Sequence, residues 1–258
     1  MTHDEATAAD AAYERLFLEV FEHLPRQGPG HRPAVERALA ACAGLPDAPR
    51  ILDLGCGSGA QTFDLLALTN GEVLAVDAHA PLVERLRERA GELGVEDRVE
   101  AVVADMTTVP LERGGFDLVW SEGALYSIGL DAALPIAHAA LRSRGWLAFT
   151  EAVWLTPHPP EAVRAAFADY PGMGTVADAR AAVVRHGFEP VADFLLPEAA
   201  WWDDFYTPLL ARVAELRERD ADDADALVAL DRIADEARLR RDHSDTFGYA
   251  FLVARRMP

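Results

Sequence analysis

The chain contains no lysine; all 24 of its basic residues are arginine. Two kinds of site go with that absence, because a phosphate-binding loop ending in GK[ST] and a Schiff-base or pyridoxal site each need a lysine side chain. Cysteine is almost as scarce. Cys42 and Cys56 show no metal-ligand spacing, so reduced thiols and no metal site are expected. No run of about 18 apolar residues occurs, and the start MTHDEATAAD is polar and acidic with no basic segment ahead of an apolar one. Neither a membrane span nor a secretory leader is expected, and the cytoplasm is the expected compartment. Basic residues are also outnumbered by acidic ones, 24 against 43, for a net charge of −19. Nucleic-acid binding draws its affinity from clustered cations on phosphates, so a small molecule is the expected partner.

What the chain does have is an ordinary globular composition: 258 residues, 50% hydrophobic and 26% charged, with no internal repeat or low-complexity tract. One domain with helical additions is the economical reading. Its organising stretch is residues 51–62, ILDLGCGSGAQT. Three apolar residues, Ile51, Leu52 and Leu54, predict a buried strand, and Gly55, Gly57 and Gly59 then form a turn into a helix over 61–68. Such a loop points unpaired N–H groups and the positive end of a helix at whatever lies above it.

A second short strand, 73–76, ends at Asp77, 20 residues beyond Gly57. An acidic group at that place in a doubly wound sheet accepts from ribose hydroxyls. A third strand, 99–103, leads to Asp105 and Met106, a carboxylate and a flexible apolar side chain suited to the amine and face of an adenine ring. The fourth, 116–120, runs into SEGALYSIG, which places Ser121, Glu122 and Tyr126 at the carboxyl edge where open α/β sheets bind ligands. A helix over 132–141 and a fifth strand over 146–153, carrying Glu151 and leading to Trp154, continue the strand-helix rhythm of a mostly parallel sheet.

Ahead of this core, Tyr13, Leu16, Phe17, Val20, Phe21 and Leu24 make one apolar helical face. The bend PRQGPG follows, with Arg26 and Gln27 placed either as a lid over a site or as a plain connector. Behind the core, helices over 161–168 and up to Val184 precede a strand over 188–196. Next comes LPEAAWWDDFYTP, with Trp201, Trp202, Phe205 and Tyr206 close together, then two amphipathic helices and a last strand over 249–254. Those helices form an insertion between the last two strands.

The motif DLGCGSGAQT with Asp53, Gly55, Gly57 and Gly59, followed by Asp77, Asp105 and Met106, resembles class I S-adenosylmethionine-dependent methyltransferases. RQGPG, SEGALYSIG and the LPE…Trp201…Tyr206…Pro208 stretch look more narrowly like a bacterial group related to the ubiquinone and menaquinone C-methyltransferases, without an assigned acceptor. The cysteine trio of members that take arsenic or other soft acceptors is missing. The resemblance implies a Rossmann-like seven-stranded sheet in the order 3-2-1-4-5-7-6. Its expected divisions are an N-terminal helical cap over 1–45, a cofactor-binding core over 46–155 and an acceptor-side half over 156–258, with the helical insertion near 201–243.

S-adenosylmethionine is the implied cofactor and methyl transfer to a small molecule by in-line displacement the implied reaction; a homodimer is the candidate assembly. The residues expected to hold the donor are Arg26, Gly55, Gly57, Gly59, Asp77, Ala78, Asp105, Met106, Ser121 and Glu122. Glu122 and Tyr126 are the catalytic candidates, Glu122 either pairing with the donor's ammonium or serving as a base. Tyr126, Trp154, Trp201 and Tyr206 are the expected acceptor-pocket walls, with aromatic faces able to hold a cation. Two other functions stay open: a non-catalytic member that binds cofactor or a partner, and a nicotinamide-dependent oxidoreductase, against which the third glycine comes one position early for GxGxxG.

Overall fold

RILDL forms β1 (Arg50–Leu54), with every residue after Arg50 buried. Its neighbours β2 (Glu72–Asp77) and β4 (Phe116–Ser121) both pair with it in parallel. The computed structural model describes residues 8–258; residues 1–7 of the expected N-terminal cap lie outside the described residues. With β3 (Val99–Val103), β5 (Leu141–Trp154), β6 (Phe188–Leu195) and β7 (Phe247–Arg256), the sheet has seven strands in the order 3-2-1-4-5-7-6, and β7 is antiparallel to both neighbours. The chain leaves β1 toward β2 and β3 on one side and returns to β4 on the other. That reversal opens a crevice at the carboxyl ends of β1 and β4, where ligands of such sheets bind.

Side chains alternate across the sheet, so Ile51 and Leu52 enter different cores. On one face α2 (Arg32–Ala41), α3 (Ala60–Leu68) and α4 (Ala80–Leu93) cover Ile51, Val73, Ala75 and Trp120. On the other, α5 (Leu130–Ala140) and α7 (Val176–Arg185) cover Leu52, Val119, Phe149 and Leu252. Both faces being covered is why the central strands read as continuous apolar runs. β5 starts five residues before the expected Trp146, because the polar residues 142–144 form an exposed, irregular lead-in with Arg144 at φ 62.

A third core lies beyond the sheet. α1 (Ala8–Phe21) buries Leu16 and Val20, with Leu24 just past its end, against α9 (Thr207–Arg219) and α10 (Ala224–Asp242). These helices stand between β6 and β7, as the sequence implies. α8 (Glu198–Trp201) runs into α9 through an unforeseen π-helical turn, Trp202–Tyr206. The Thr207 N–H reaches back five residues to the Trp202 carbonyl, and Pro208 next to it has no N–H to restore the α ladder. No helix of the described residues is long and apolar enough to cross a membrane.

Candidate functional site

The glycine loop leaves β1 through three left-handed residues, Gly55, Gly57 and Gly59, at φ +73, +54 and +86. Gly55 has no alternative: a Cβ there would overlap the Cβ of Ala124 from the segment after β4, closing the crevice. Asp77 at the end of β2 holds the loop, its Oδ2 accepting from the Gly57 N–H at 2.9 Å and its Oδ1 from the His79 N–H at 2.8 Å. A carboxylate has about four lone-pair sites, so acceptor capacity remains toward the crevice. Asp53, fully buried in β1, accepts from Thr62 at 2.6 Å and Gln61 at 3.3 Å and so ties the start of α3 to the sheet; burial lifts its carboxyl to about 7.

Two cavities flank this loop. One, of about 280 Å³, is lined by Asp77, Ala78, Asp105, Met106, Ser127 and Ile128 among others; the second, of about 200 Å³, by Arg26, Gln27, Gly57, Gln61, Glu122 and Gly123 among others. Gly55, Asp77, Ala124 and Tyr126 belong to both, so the two are halves of one bent cleft. Asp105 sits at its exposed end, its Oδ1 accepting from the Thr107 N–H at 2.7 Å and hydroxyl at 2.6 Å, which holds its carboxyl below the usual range.

The bend after α1 roofs the second half. Gln27 Oε1 accepts from the Ser58 N–H at 3.0 Å and hydroxyl at 2.9 Å, while its amide donates to the Phe21 and Leu24 carbonyls, so one side chain sews α1 to the glycine loop. Arg26 donates to Glu122 Oε2 at 2.9 Å, and Trp120 Nε1 donates to Glu122 Oε1 at 2.8 Å. Both members of the Arg26–Glu122 pair are buried, with Asp64 3.6 Å from the guanidinium.

Tyr126 also forms part of a third cavity, of about 770 Å³, between α1, β5, α6 (Glu161–Ala166) and α10. Its ring lies 5.7 Å from that of Tyr170, whose hydroxyl donates to Glu151 Oε1. Glu151 Oε2 is buried without a partner, and burial lifts the carboxyl to about 7. Across the cavity Glu236 Oε1 accepts from the Tyr206 hydroxyl at 2.7 Å; its carboxyl faces the opening yet is surrounded by protein, and desolvation pushes its pKa up.

Several expected site residues lie elsewhere. The buried Ser121 hydroxyl donates to the Leu54 carbonyl at 2.7 Å, pinning β4 to β1, and lines neither half of the cleft. Gly59, at the N-terminus of α3, packs toward Leu86 and Phe63 behind the loop. Trp201 is core: its ring stacks on Tyr206 at 6.0 Å and meets Tyr249 edge-on at 5.1 Å, with the Arg240 guanidinium 4.2 Å from its centroid. Trp154 stands behind the third cavity, edge-to-face with Phe167 at 5.6 Å. Tyr206 is fully buried and reaches the cavity only through Glu236. Gln27, Tyr170 and Glu236 were not among the expected site residues, nor was Glu151. For Glu151 the signal was a charge inside the apolar run WLAFTEAVW; for Glu236 it was a carboxylate one turn from Ile233 on an otherwise apolar stripe.

The family described as a methyltransferase domain matches residues 51–145. Among curated relatives, sarcosine/dimethylglycine N-methyltransferase of Halorhodospira halochloris is 34% identical over 46% of this chain and 43% of its own length. Demethylmenaquinone methyltransferase of Clavibacter sepedonicus is 36% identical over 41% and 42%. The chain spans less than half the length of these relatives. Among solved structures, a SAM-dependent methyltransferase from Geobacter sulfurreducens in complex with S-adenosyl-L-homocysteine superimposes with a TM-score of 0.78 at 20% identity, covering 93% of this chain and 97% of the other. The [4+2]-cyclase SpnF superimposes with a TM-score of 0.73 at 18% identity, covering 97% and 96%. The strand order, the glycine loop and the family match agree: residues 51–145 match a methyltransferase domain, and the chain has the fold of the class I S-adenosylmethionine-dependent methyltransferases.

Proposed function

We propose that this chain transfers a methyl group from S-adenosylmethionine to a small-molecule acceptor, as an enzyme of the cytoplasm. The observation that carries this reading is the bent cleft whose two halves meet at Gly55, Asp77, Ala124 and Tyr126, over a loop too close to Ala124 to admit any side chain at position 55. The residues present fit the donor. Asp77 has acceptor capacity left for the ribose hydroxyls, Ala78, Asp105 and Met106 line the half suited to adenine, and Gly57, Arg26 and Glu122 line the half suited to the methionyl end.

The donor, when bound, supplies a methyl group already activated on a sulfonium. The chain must then align the acceptor, exclude water and leave a cation undisturbed, and alignment alone can account for about 7–11 kcal/mol. Glu122 suits the donor's ammonium better than it suits proton abstraction, since each of its oxygens already accepts from a fixed donor, Trp120 or Arg26. Arg26, Gln27 and Pro29 roof the cleft and keep water from it. Tyr126 forms wall in both the cleft and the third cavity, so the acceptor is assigned to that cavity. Relatives named for a quinone and for an amine both match this core. The narrower kinship with quinone C-methyltransferases is read from RQGPG and SEGALYSIG alone.

Calorimetric titration with S-adenosylhomocysteine and NAD tests the donor, and mass-spectrometric detection of methylated product across an acceptor panel tests the reaction. Binding of the thioether but not of NAD, with turnover on one panel member, is the expected outcome. NAD binding in its place would support an oxidoreductase, and donor binding with no turnover on any acceptor would support a non-catalytic member.

A further inference from the structure

The third cavity pairs an aromatic wall with acidic groups. Tyr13, Phe17, Phe21, Tyr126, Tyr170 and Tyr249 present rings to it, and Glu236, Asp169, Asp235 and Asp242 contribute carboxylates. Two arginines also line it, but each is already engaged: Arg238 donates to Asp235 at 2.7 Å and Asp231 at 3.2 Å, and Arg232 lies 4.0 Å over the Tyr13 ring and 3.6 Å from Asp10. Glu151 lies behind Tyr170, on the wall of a neighbouring cavity, and with Glu236 it acts on the same phenols: the two carboxyls help raise the pKa values of Tyr126 and Tyr249, after burial, the larger cause. Glu236 has only a neutral hydroxyl as its hydrogen-bond partner, and Glu151 keeps one oxygen unpartnered at 3% exposure. Two carboxyls without a cation, Glu151 buried and Glu236 at the opening, leave the positive charge to be brought by a ligand.

We propose that the acceptor is an amine with an apolar body, held in its ammonium form between Glu236 and the Tyr170–Glu151 pair beside Tyr126. The proposal rests on the methyl-transfer reading above and adds the class of acceptor. A phenolate or hydroquinone anion would set its negative charge against these carboxyls, and a neutral quinone would leave them without a cation. An ammonium must lose a proton before its nitrogen can attack. The Tyr170 oxygen receives that proton as its own passes to Glu151 Oε1, and burial, which places this carboxyl at about 7, suits it to accept near neutrality. The freed nitrogen pair forms the N–C bond while the donor's S–C bond breaks with its electrons remaining on sulfur. The products are a neutral thioether, a methylated ammonium and a protonated Glu151.

The test uses the full chain saturated with S-adenosylhomocysteine and three calorimetric probes of similar size: trimethyl(2-phenylethyl)ammonium, 2-phenylethanol and 3-phenylpropanoate. The quaternary cation can be neither methylated nor deprotonated, so it reads recognition alone. It should bind at least about tenfold more tightly than the alcohol, with the carboxylate weakest. Glu236→Gln, which keeps an acceptor for Tyr206, should remove most of that preference while thioether affinity holds. Tyr170→Phe should leave affinity for the cation within about threefold but lower turnover of 2-phenylethylamine at saturation by about 10²-fold. Equal or tighter binding of the alcohol or the carboxylate, or no binding of the cation, would overturn the proposal and leave methyl transfer standing. Failure of the thioether itself to bind would overturn both.

Discussion

Glu151 is a residue that burdens the fold. Its carboxyl is buried, one oxygen has no donor, and its pKa rises from 4.5 to about 7. A carboxyl that binds its proton more tightly folded than unfolded adds stability that is fully present below pH 4.5 and is lost as pH rises through about 7. The shift corresponds to about 3 kcal/mol. Glu151→Gln should keep the acceptor for Tyr170, flatten part of the fall in melting temperature between pH 4.5 and about 8, and leave the variant more stable than the parent above pH 8. Parallel melting curves for the two proteins across that range would refute the assignment. Asp77 carries the opposite kind of prediction. Two charge-assisted bonds to ribose, at about 1.5–3 kcal/mol each, make Asp77→Ala roughly 10²- to 10⁴-fold weaker for S-adenosylhomocysteine. Part of that loss will be loop order, since the same carboxylate holds Gly57 and His79; undiminished affinity in a folded variant would remove Asp77 from the donor site.

At the scale of elements, the bend PRQGPG is better understood as a clamp than as a free flap. Gln27 joins the glycine loop to α1, Arg26 reaches Glu122 on the far side of the crevice, and the Gly30 N–H donates to the Ala200 carbonyl at 2.9 Å. Gly30 is where the clamp is tightest, because a Cβ there would meet Arg26 Nη1 and stand 2.5 Å from Glu122 Oε2. Gly30→Ala should therefore displace the Arg26 guanidinium, leave two buried charges poorly paired and weaken thioether binding by tenfold or more, with a cost of about 1–3 kcal/mol in stability. Unchanged affinity, or unchanged hydrogen exchange over residues 26–30, would show that the clamp does not serve the donor. The glycine loop and Asp77 were legible in the sequence because their spacing is local and the backbone geometry admits few residue types. The third cavity was not. Tyr126, Tyr170 and Glu236 come from three separate segments, with Glu151 reached from a fourth through Tyr170, and no spacing reveals that they meet. Trp201 and Tyr206 misled for a related reason, since a cluster of aromatics reads the same whether it lines a pocket or fills the core beneath one.

On the scale of the whole molecule, the three cores divide the work. Two lie on the faces of the sheet and fix the crevice; the third joins α1, α9 and α10 and closes the third cavity. Leu16, Val20 and Leu24 are buried in that third core, so removing residues 1–31 would strip it open and not leave a soluble bare sheet. In the third core the cap meets the sheet at Phe247 and Ala152, a smaller contact than the strand pairing of β1, β4, β5 and β7. A unit with fewer ties to the rest should open as a group below the free energy of global unfolding. Leu230, fully buried on α10, offers the lever: Leu230→Ala should cost about 2–5 kcal/mol through lost burial and the cavity left behind. Native-state hydrogen exchange should show that loss in α1, α9 and α10 while the slowest amides of β1 and β4 keep their protection relative to the parent. A ligand filling the third cavity should then restore protection to the cap first, because that cavity is lined by α1 and α10 and not by the sheet centre. If Leu230→Ala lowers protection equally in β1 and β4, cap and sheet unfold as one cooperative body, and entry of the acceptor must be sought by a route other than opening of the cap.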